Sequence, residues 1–543
     1  MNTYFRQFWS LNLDFIERFK ALRFKGVPLP FLIPFQVYTM NGALKQLVAD
    51  PSLSAHLSVK LEQESEIGPA FAKYLRPPVP LQRIRDGKFV LYTPLLRFPG
   101  FIYESYFDPA NTIVVHPENK PAGKFSGGHP IFPLSPYKKD AARYAPPFIE
   151  TARKLFQLYR KHPIYGHPNF VKLLKHDIVR CIAAVLAAEK LFAQHRVACI
   201  IVGATNDPYS RALAWMAGRR GIPSVCMQHG TIGREEGFLP AFATKLAVHG
   251  KDEADWYLSK GVPLSRIAVT GHPRFDHIHT RQLPRRGQIL EKLGIGKGRK
   301  SVLVVTNSVS DPKLWGRYIT ELARYRDITI LIKPHRNEIK SGRYKDYGKY
   351  YPAAASVQII ANNDIKLHEL IAAADAVALE LSTVGLEAML HRTPTVFLRR
   401  EDYSHYNHRY YYQAMQPYVG TDSAQAARLT SMLVRSPRWK AMNLAAADRF
   451  LQHAYPVRMS GEAVHSLLRS LTGQSCKRKT ARRFEGLLVK GPGRSVQVYY
   501  VRQGLKRHIL SPSVFEKRGF SGRSVLQLSA EEIKQIPPGP MIR

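Results

Sequence analysis

Apolar runs of four to six residues recur along this chain between longer stretches of helical periodicity, starting near residue 86. Phe89-Val90-Leu91-Tyr92, Thr112-Ile113-Val114-Val115, Ala198-Cys199-Ile200-Ile201-Val202, Pro223 to Gln228, Lys245 to His249 and Ile267 to Thr270 read as strands. The unbroken apolar character of Ala198 to Val202 is that of a strand covered on both faces. A helical region spans roughly 147 to 195, and Asn206-Asp207-Pro208 opens another helix with proline at a tolerated first-turn position. The pattern predicts a parallel α/β domain.

Thr280 to Arg299 is charged and rich in glycine, a composition that suits an interdomain linker flanking a short helix. A second cycle follows, with strands expected at Ser301 to Thr306, Ile328 to Ile332, Val357 to Ile360, Ala376 to Leu379 and Thr395 to Leu398. Residues 437 to 472 are helical in pattern and are expected to pack back across both domains. The fold class is therefore α/β, with two doubly wound, Rossmann-like domains facing a cleft at the carboxyl ends of their strands, where such sheets bind ligands.

The two ends of the chain differ from this middle. In residues 1 to 35, Phe5, Phe8, Trp9, Phe15, Ile16, Phe19 and Leu22 recur at mostly three- and four-residue steps, with Arg6, Arg18, Lys20, Arg23 and Lys25 between them. This is a basic amphipathic helix, stopped by Gly26-Val27-Pro28-Leu29-Pro30, and two uses are open to it: attachment to a membrane interface or packing on its own domain. Beyond Ser475, the basic run Cys476 to Arg483 reads as a linker to short strands at Gly486 to Val489, Val496 to Val501 and Lys506 to Leu510. The expected domains are residues 1–35, 36–282, 283–475 and a small basic, mostly-β module at 483–543.

Charge narrows the partners. There are 80 Lys and Arg against 41 Asp and Glu, a net charge of +39, which attracts polyanions. The basic residues are spread along the chain without a helix-turn-helix, an aromatic-basic RNA signature or metal-finger spacing, so nucleic acid is not expected as a partner. An anionic membrane surface, worth about 1 kcal/mol per nearby Lys or Arg, accounts for a diffuse excess more economically. Cys181, Cys199, Cys226 and Cys476 are far apart, and the first three lie in apolar segments, as reduced thiols would. With no signal-peptide core and no run of about 20 apolar residues, the expected location is cytoplasmic and peripheral, at the inner face of the cell membrane.

The candidate chemistry sits at strand ends. His229, in Gln228-His229-Gly230-Thr231, places an imidazole after an apolar run and before a glycine; it is a candidate general base, with a structural hydrogen bond to backbone as the alternative. Lys333 and His335 leave the next cycle's second strand as a cationic pair able to neutralise a pyrophosphate leaving group. Ser382 and Thr383 precede a helix, where hydroxyls and first-turn N–H groups make an anion site or simply cap the helix. Glu387 lies one turn later on the same face and is a candidate for ribose hydroxyls. His272 and Arg274, in Thr270-Gly271-His272-Pro273-Arg274-Phe275-Asp276, and Asn206 with Asp207, are candidates for donor and acceptor contacts respectively, with turn formation and capping as alternatives.

At His229-Gly230-Thr231, Gly271-His272-Pro273-Arg274-Phe275-Asp276, Lys333-Pro334-His335 and Ser382-Thr383 followed by Glu387, the chain resembles nucleotide-sugar-dependent glycosyltransferases of the GT-B fold, particularly the CDP-glycerol glycerophosphotransferase and capsule-polysaccharide transferase group. The resemblance covers roughly residues 86 to 470. It implies His229 as catalytic base, His335 with Ser382 and Thr383 on the donor's phosphates, and Glu387 on its ribose. It also implies no cofactor, a CDP- or UDP-linked donor, a polysaccharide or lipid-linked acceptor, and a metal-independent transfer, in keeping with the lack of an Asp-x-Asp motif. The spacing of Glu380 and Glu387, one short of a signature of many retaining enzymes, favours inversion. Ile232, Gly233 and Phe275 depart from the glycerophosphotransferase pattern. Two other functions fit the same plan: a UDP-N-acetylglucosamine 2-epimerase-like enzyme, with Asp207, Glu235 and Glu236 as acid/base candidates, and a noncatalytic polymer- or membrane-binding protein on a transferase scaffold.

Overall fold

The computed structural model describes residues 1–39, 42–75, 79–117, 125–280, 283–296, 298–351, 356–399, 409–474, 484–493, 497–502, 505–520 and 522–542. The chain divides into two compact units: residues 1–229, 234–274 and 459–479 in the first, and residues 230–233, 275–458 and 480–543 in the second.

The first unit is built on a seven-stranded parallel sheet. Its strands are β1 (Lys88–Tyr92), β2 (Thr112–His116), β3 (Ile131–Pro133), β4 (Val197–Val202), β5 (Ser224–Met227), β6 (Lys245–Val248) and β7 (Ile267–Val269), in the order β3-β2-β1-β4-β5-β6-β7. Every residue of β4 is buried, as its unbroken apolar run predicts for a central strand. The helix Pro208–Arg219 packs on β4 and β5, and the long helix Pro168–Gln194 packs on it in turn. Ser460–Thr472 returns to cover β4 through Val464 and Leu468. The edge strand β3 ends at Pro133, a residue that argues against a strand in the sequence and is tolerated at a sheet edge.

The same winding recurs in the second unit. Here β8 (Lys300–Val305), β9 (Ile328–Lys333), β10 (Val357–Ile359), β11 (Ala376–Leu379), β12 (Thr395–Leu398) and β13 (Val419–Gly420) are all parallel, in the order β10-β9-β8-β11-β12-β13. Two doubly wound α/β sheets therefore follow one another, as the two cycles of apolar runs predict. Helix Arg286–Lys292 is part of this unit's core through Ile289 and Leu290, so the charged, glycine-rich stretch around it is not merely a linker. By contacts the chain enters this unit at Phe275 rather than after residue 282.

A four-stranded sheet of β14 (Leu488–Lys490), β15 (Val498–Arg502), β16 (Leu505–His508) and β17 (Val525–Gln527), in the order β16-β15-β14-β17, forms the small C-terminal module around Phe484, Val489, Val501, Leu528 and Ile536. The basic run from Cys476 to Arg483 lies outside the described residues, as does Cys476. Cys181 and Cys199 are buried free thiols and Cys226 a half-buried one.

The N-terminal segment forms a helix, α1 (Thr3–Arg18), but its apolar side chains are not available to a lipid surface. Phe8, Trp9, Leu11, Phe15 and Ile16 are buried within the first unit. At about 1.5–3 kcal/mol for each large side chain, re-exposing five of them would cost on the order of 10 kcal/mol. The interfacial reading of this helix is thereby replaced by the packed one. Polar contacts lock it further. Trp9 Nε1 donates to Glu235 Oε1 (2.6 Å), and the buried Lys260 ammonium bonds both Glu235 (2.7 Å) and Glu64 (2.7 Å). Arg211, also buried, donates to the carbonyls of Thr205 (2.8 Å) and Phe31 (3.4 Å), tying the segment after α1 to the helix that follows β4. None of the described helices is long and apolar enough to cross a membrane.

Removing one member of the Lys260–Glu235 pair leaves a buried charge unpaired. Lys260→Met is expected to lower unfolding free energy by about 3–5 kcal/mol, while the double change Lys260→Met/Glu235→Gln recovers most of it. Denaturant midpoints of both single variants and the double variant check this; losses that simply add in the double variant would show that the charges are not coupled.

Candidate functional site

In the first unit the polar residues gather where strands end at their carboxyl edge. The strand order reverses between β1 and β4, and ligands of open α/β sheets bind outside the strand ends at such a point. Gly203, directly after β4, meets the loop after β1 so closely that a Cβ there would lie 2.1 Å from Leu95 C and 2.1 Å from Leu96 N. That loop is strained: Leu95 and Arg97 have φ of +57° and +52°, a region costly to residues with a Cβ and common at functional sites. Arg97 so placed donates to the His229 carbonyl (3.0 Å), and Arg274, from the loop after β7, donates to the same oxygen (3.2 Å).

His229 is half-buried, follows β5, and stacks on Phe238 with ring centroids 4.8 Å apart and planes 4° from parallel. Its ring is hydrogen-bonded to the Gly203 backbone. A carbonyl only accepts, so one ring nitrogen carries the proton and the other presents a lone pair. Burial, then the positive charges of Arg97 and Arg274, hold its pKa down at about 4. The imidazole is neutral at physiological pH.

Around it lie two fully buried histidines. His249 Nε2 bonds the Gln228 carbonyl (3.1 Å) and its backbone N–H donates to Gln228 Oε1 (3.0 Å), so Gln228 is clamped from both sides. His272 accepts the Arg274 N–H at Nδ1 (3.2 Å). Burial drives His249 down to about 3, and burial with the nearby Arg274 drives His272 down as well.

The second unit also places its polar groups at the point where strand order reverses, here between β8 and β11. Helix Thr383–Leu390 starts there, with Ser382 as N-cap accepting the Val384 N–H (3.3 Å). The segment Gly230–Gly233 belongs to this unit. Thr231 donates its N–H to Thr383 Oγ1 (3.1 Å), and the two hydroxyls are 3.0 Å apart. Beneath them the buried Glu380 accepts from Asn307 Nδ2 (3.0 Å) and Ser310, joining the β8 and β11 exits. Exposed His335 caps the helix Arg336–Ser341, its Nδ1 accepting from Asn337 N (3.1 Å) while buried Glu338 accepts the His335 N–H (3.0 Å).

Not every expected site residue reaches these edges. His272 is 0% exposed and supports Arg274 rather than lining an opening. Lys333 is buried, donates its ammonium to the Asn362 carbonyl, and has a pKa lowered by that burial, so it does not act as a surface cation beside His335. Asp207 caps the helix Pro208–Arg219, its Oδ1 accepting from the N–H groups of Tyr209 (2.9 Å) and Ser210 (3.1 Å) and from Tyr92 OH (3.0 Å) and its Oδ2 from Ser210 Oγ (2.7 Å), which commits both its oxygens; Asn206 beside it is half-buried. Glu387 sits with His277 and His391, the three contributing ligand-type atoms all within 4.8 Å of one another. Arg97, Phe238, His277 and His391 were not singled out in the sequence. The position of Arg97 after a strand was the one signal available for it, and Glu387 to His391, four apart on a helix, was the signal for His391.

No family model matches this sequence, and no curated protein matches it. Solved structures similar to it include the wall teichoic acid polymerase TagF (12% identity, covering 81% of this chain and 98% of that one, TM-score 0.43). Others are Anabaena HepE in complex with UDP and glucose (13% identity, 70% and 99% covered, TM-score 0.44) and the UDP-GlcNAc 2-epimerase from Neisseria meningitidis bound to UDP-GlcNAc (13% identity, 70% and 99% covered, TM-score 0.44).

Two outcomes follow from this geometry. Because His229 and His249 bind a proton more weakly when folded than the usual 6.5 of an unfolded chain, stability is complete above about pH 6.5 and falls as pH drops toward 4. His249 alone contributes at most about 1.4 kcal/mol per pH unit in that window, so denaturant midpoints at pH 7, 6 and 5 should decline, less steeply in His249→Gln. Second, a Cβ at Gly230 would lie 2.9 Å from Thr383 Oγ1, a side-chain atom that can rotate away, whereas one at Gly203 would meet backbone. Gly203→Ala is therefore expected to cost about 3 kcal/mol or more and Gly230→Ala about 1 kcal/mol or less, compared by thermal or denaturant unfolding.

Proposed function

We propose that this protein is a transferase that moves a sugar or polyol phosphate from a nucleotide-activated donor onto a surface-polysaccharide or lipid-linked acceptor. The observation that carries this reading is the pairing of Thr231 with Thr383 at the start of helix Thr383–Leu390, at the point where the second unit's strand order reverses. Helix N-termini at a switch point favour phosphate through oriented N–H groups and the helix dipole. In this reading Ser382, Thr383 and the exposed His335 hold the donor's phosphates. His229, with one nitrogen hydrogen-bonded to Gly203, takes the acceptor hydroxyl's proton on its other nitrogen as the acceptor oxygen attacks the donor. The bond from donor to nucleotide breaks and the nucleotide leaves with its electron pair. Arg97 and Arg274 supply positive charge beside this base, and an anionic donor offsets their depression of its pKa.

An epimerase needs acid/base carboxylates at the sugar. Asp207 is engaged in capping, Glu235 with Lys260 and Trp9, and Glu236 with Arg234 (2.6 Å), which weighs against the epimerase alternative. Attraction to an anionic membrane surface rests, in this proposal, on the diffuse net charge of +39 and not on α1.

The test is to incubate the protein with CDP-, CMP-, UDP- and GDP-activated donors plus membranes, following nucleotide release and label entering the membrane fraction. Release with one donor class is expected, with kcat lowered about 10²–10⁴-fold in His229→Ala. With a free-protein pKa of about 4, the base is already deprotonated at pH 6, so kcat/KM should be flat from pH 8 to 6. Release unchanged in His229→Ala removes the base; sugar interconversion without release points to an epimerase; donor binding without turnover points to a noncatalytic scaffold.

A further inference from the structure

We propose that His277, Glu387 and His391 form a binding site for a divalent transition metal of the zinc class. Glu387 and His391 are four residues apart at the end of helix Thr383–Leu390, whose C-cap is His391, and residues so spaced share a face. His277 arrives from a different element, the short helix His277–Thr280. The three ligand-type atoms lie within 4.8 Å of one another. Around a tetrahedral ion with bonds of about 2.1 Å, ligand atoms sit about 3.4 Å apart, so small side-chain rotations close the set.

The surroundings suit a cation that imidazole binds. The His368 ring lies against that of His277, with centroids 4.6 Å apart, and the His391 ring is 6.2 Å from His277. His391 Nε2 is buried and makes no hydrogen bond among the described residues. Imidazole nitrogens offer lone pairs to such an ion, and Glu387 supplies a negative charge. Two nitrogens and one oxygen favour zinc, cobalt or nickel over magnesium or calcium, and three protein ligands leave a position for water. The ion would fix the far end of this helix, about two turns beyond Thr383. Glu387 then serves the metal instead of the ribose contact that the family resemblance implied. The inference does not rest on the transferase reading, since metal binding is measured without donor.

The experiment uses the full chain freed of metal by chelator and dialysis, titrated with Co²⁺ and then Zn²⁺. Expected are one equivalent of Co²⁺ with a visible ligand-field band, displacement by one equivalent of Zn²⁺, no effect of Mg²⁺, and a rise in Tm with Zn²⁺. Glu387→Gln and His391→Asn should each weaken Zn²⁺ binding at least about 100-fold, while His453→Asn, at an exposed position outside the cluster, leaves it unchanged. Absence of the band in the wild-type chain, or a band and affinity unaltered in His277→Asn and His391→Asn, overturns the proposal whatever the variants' stability.

Discussion

The first unit's chemistry depends on one close approach of backbone to backbone, that of Gly203 to Leu95 and Leu96. Any side chain at Gly203 would separate the exits of β1 and β4. With glycine there, the exits touch, the strained Leu95–Arg97 loop is held in place, and the Gly203 backbone is near enough to bond the His229 ring. Arg97 and Arg274 then converge on the carbonyl of the same histidine. A steric constraint at one residue thus sets the position, tautomer and charge environment of the imidazole on which the proposed chemistry turns.

Histidine has several distinct uses in this molecule. His249 and His272 are sealed in the interior, where their nitrogens organise Gln228 and Arg274, and burial keeps them neutral. His229, half-buried and stacked on Phe238, keeps a lone pair for chemistry. The second unit adds a third arrangement, in which four imidazoles crowd together beside Glu387. The sequence could not separate the first two uses, because His229, His249 and His272 all stand at or near the ends of apolar runs.

Charge and amphipathicity were the least direct guides. A helix with basic residues between aromatic ones has the composition of a membrane anchor, yet α1 buries its aromatic face against its own unit and is fastened through Trp9, Glu235 and Lys260. Lys333, which reads as a cation available to a phosphate, is buried and engaged with a backbone carbonyl, and Arg211 is held in the same way. A long basic side chain can satisfy its charge on either side of a surface, and periodicity does not say which.

What the order of residues determined by itself was the strand and helix succession. Apolar runs such as Ala198–Val202 and Ile328–Ile332 are short and rich in β-branched residues, as buried parallel strands are, and two such cycles give two doubly wound sheets. His229, Ser382 and Thr383 were legible because a polar residue after a buried strand emerges at the carboxyl edge. Tertiary structure decided the rest. It gathered His277, Glu387 and His391, drew Thr231 to Thr383, and turned Lys333 and His272 inward. The reason is physical: local periodicity fixes which face of an element is apolar, but contacts between residues a hundred positions apart depend on how whole elements pack, and burial then sets which of their polar groups stay charged.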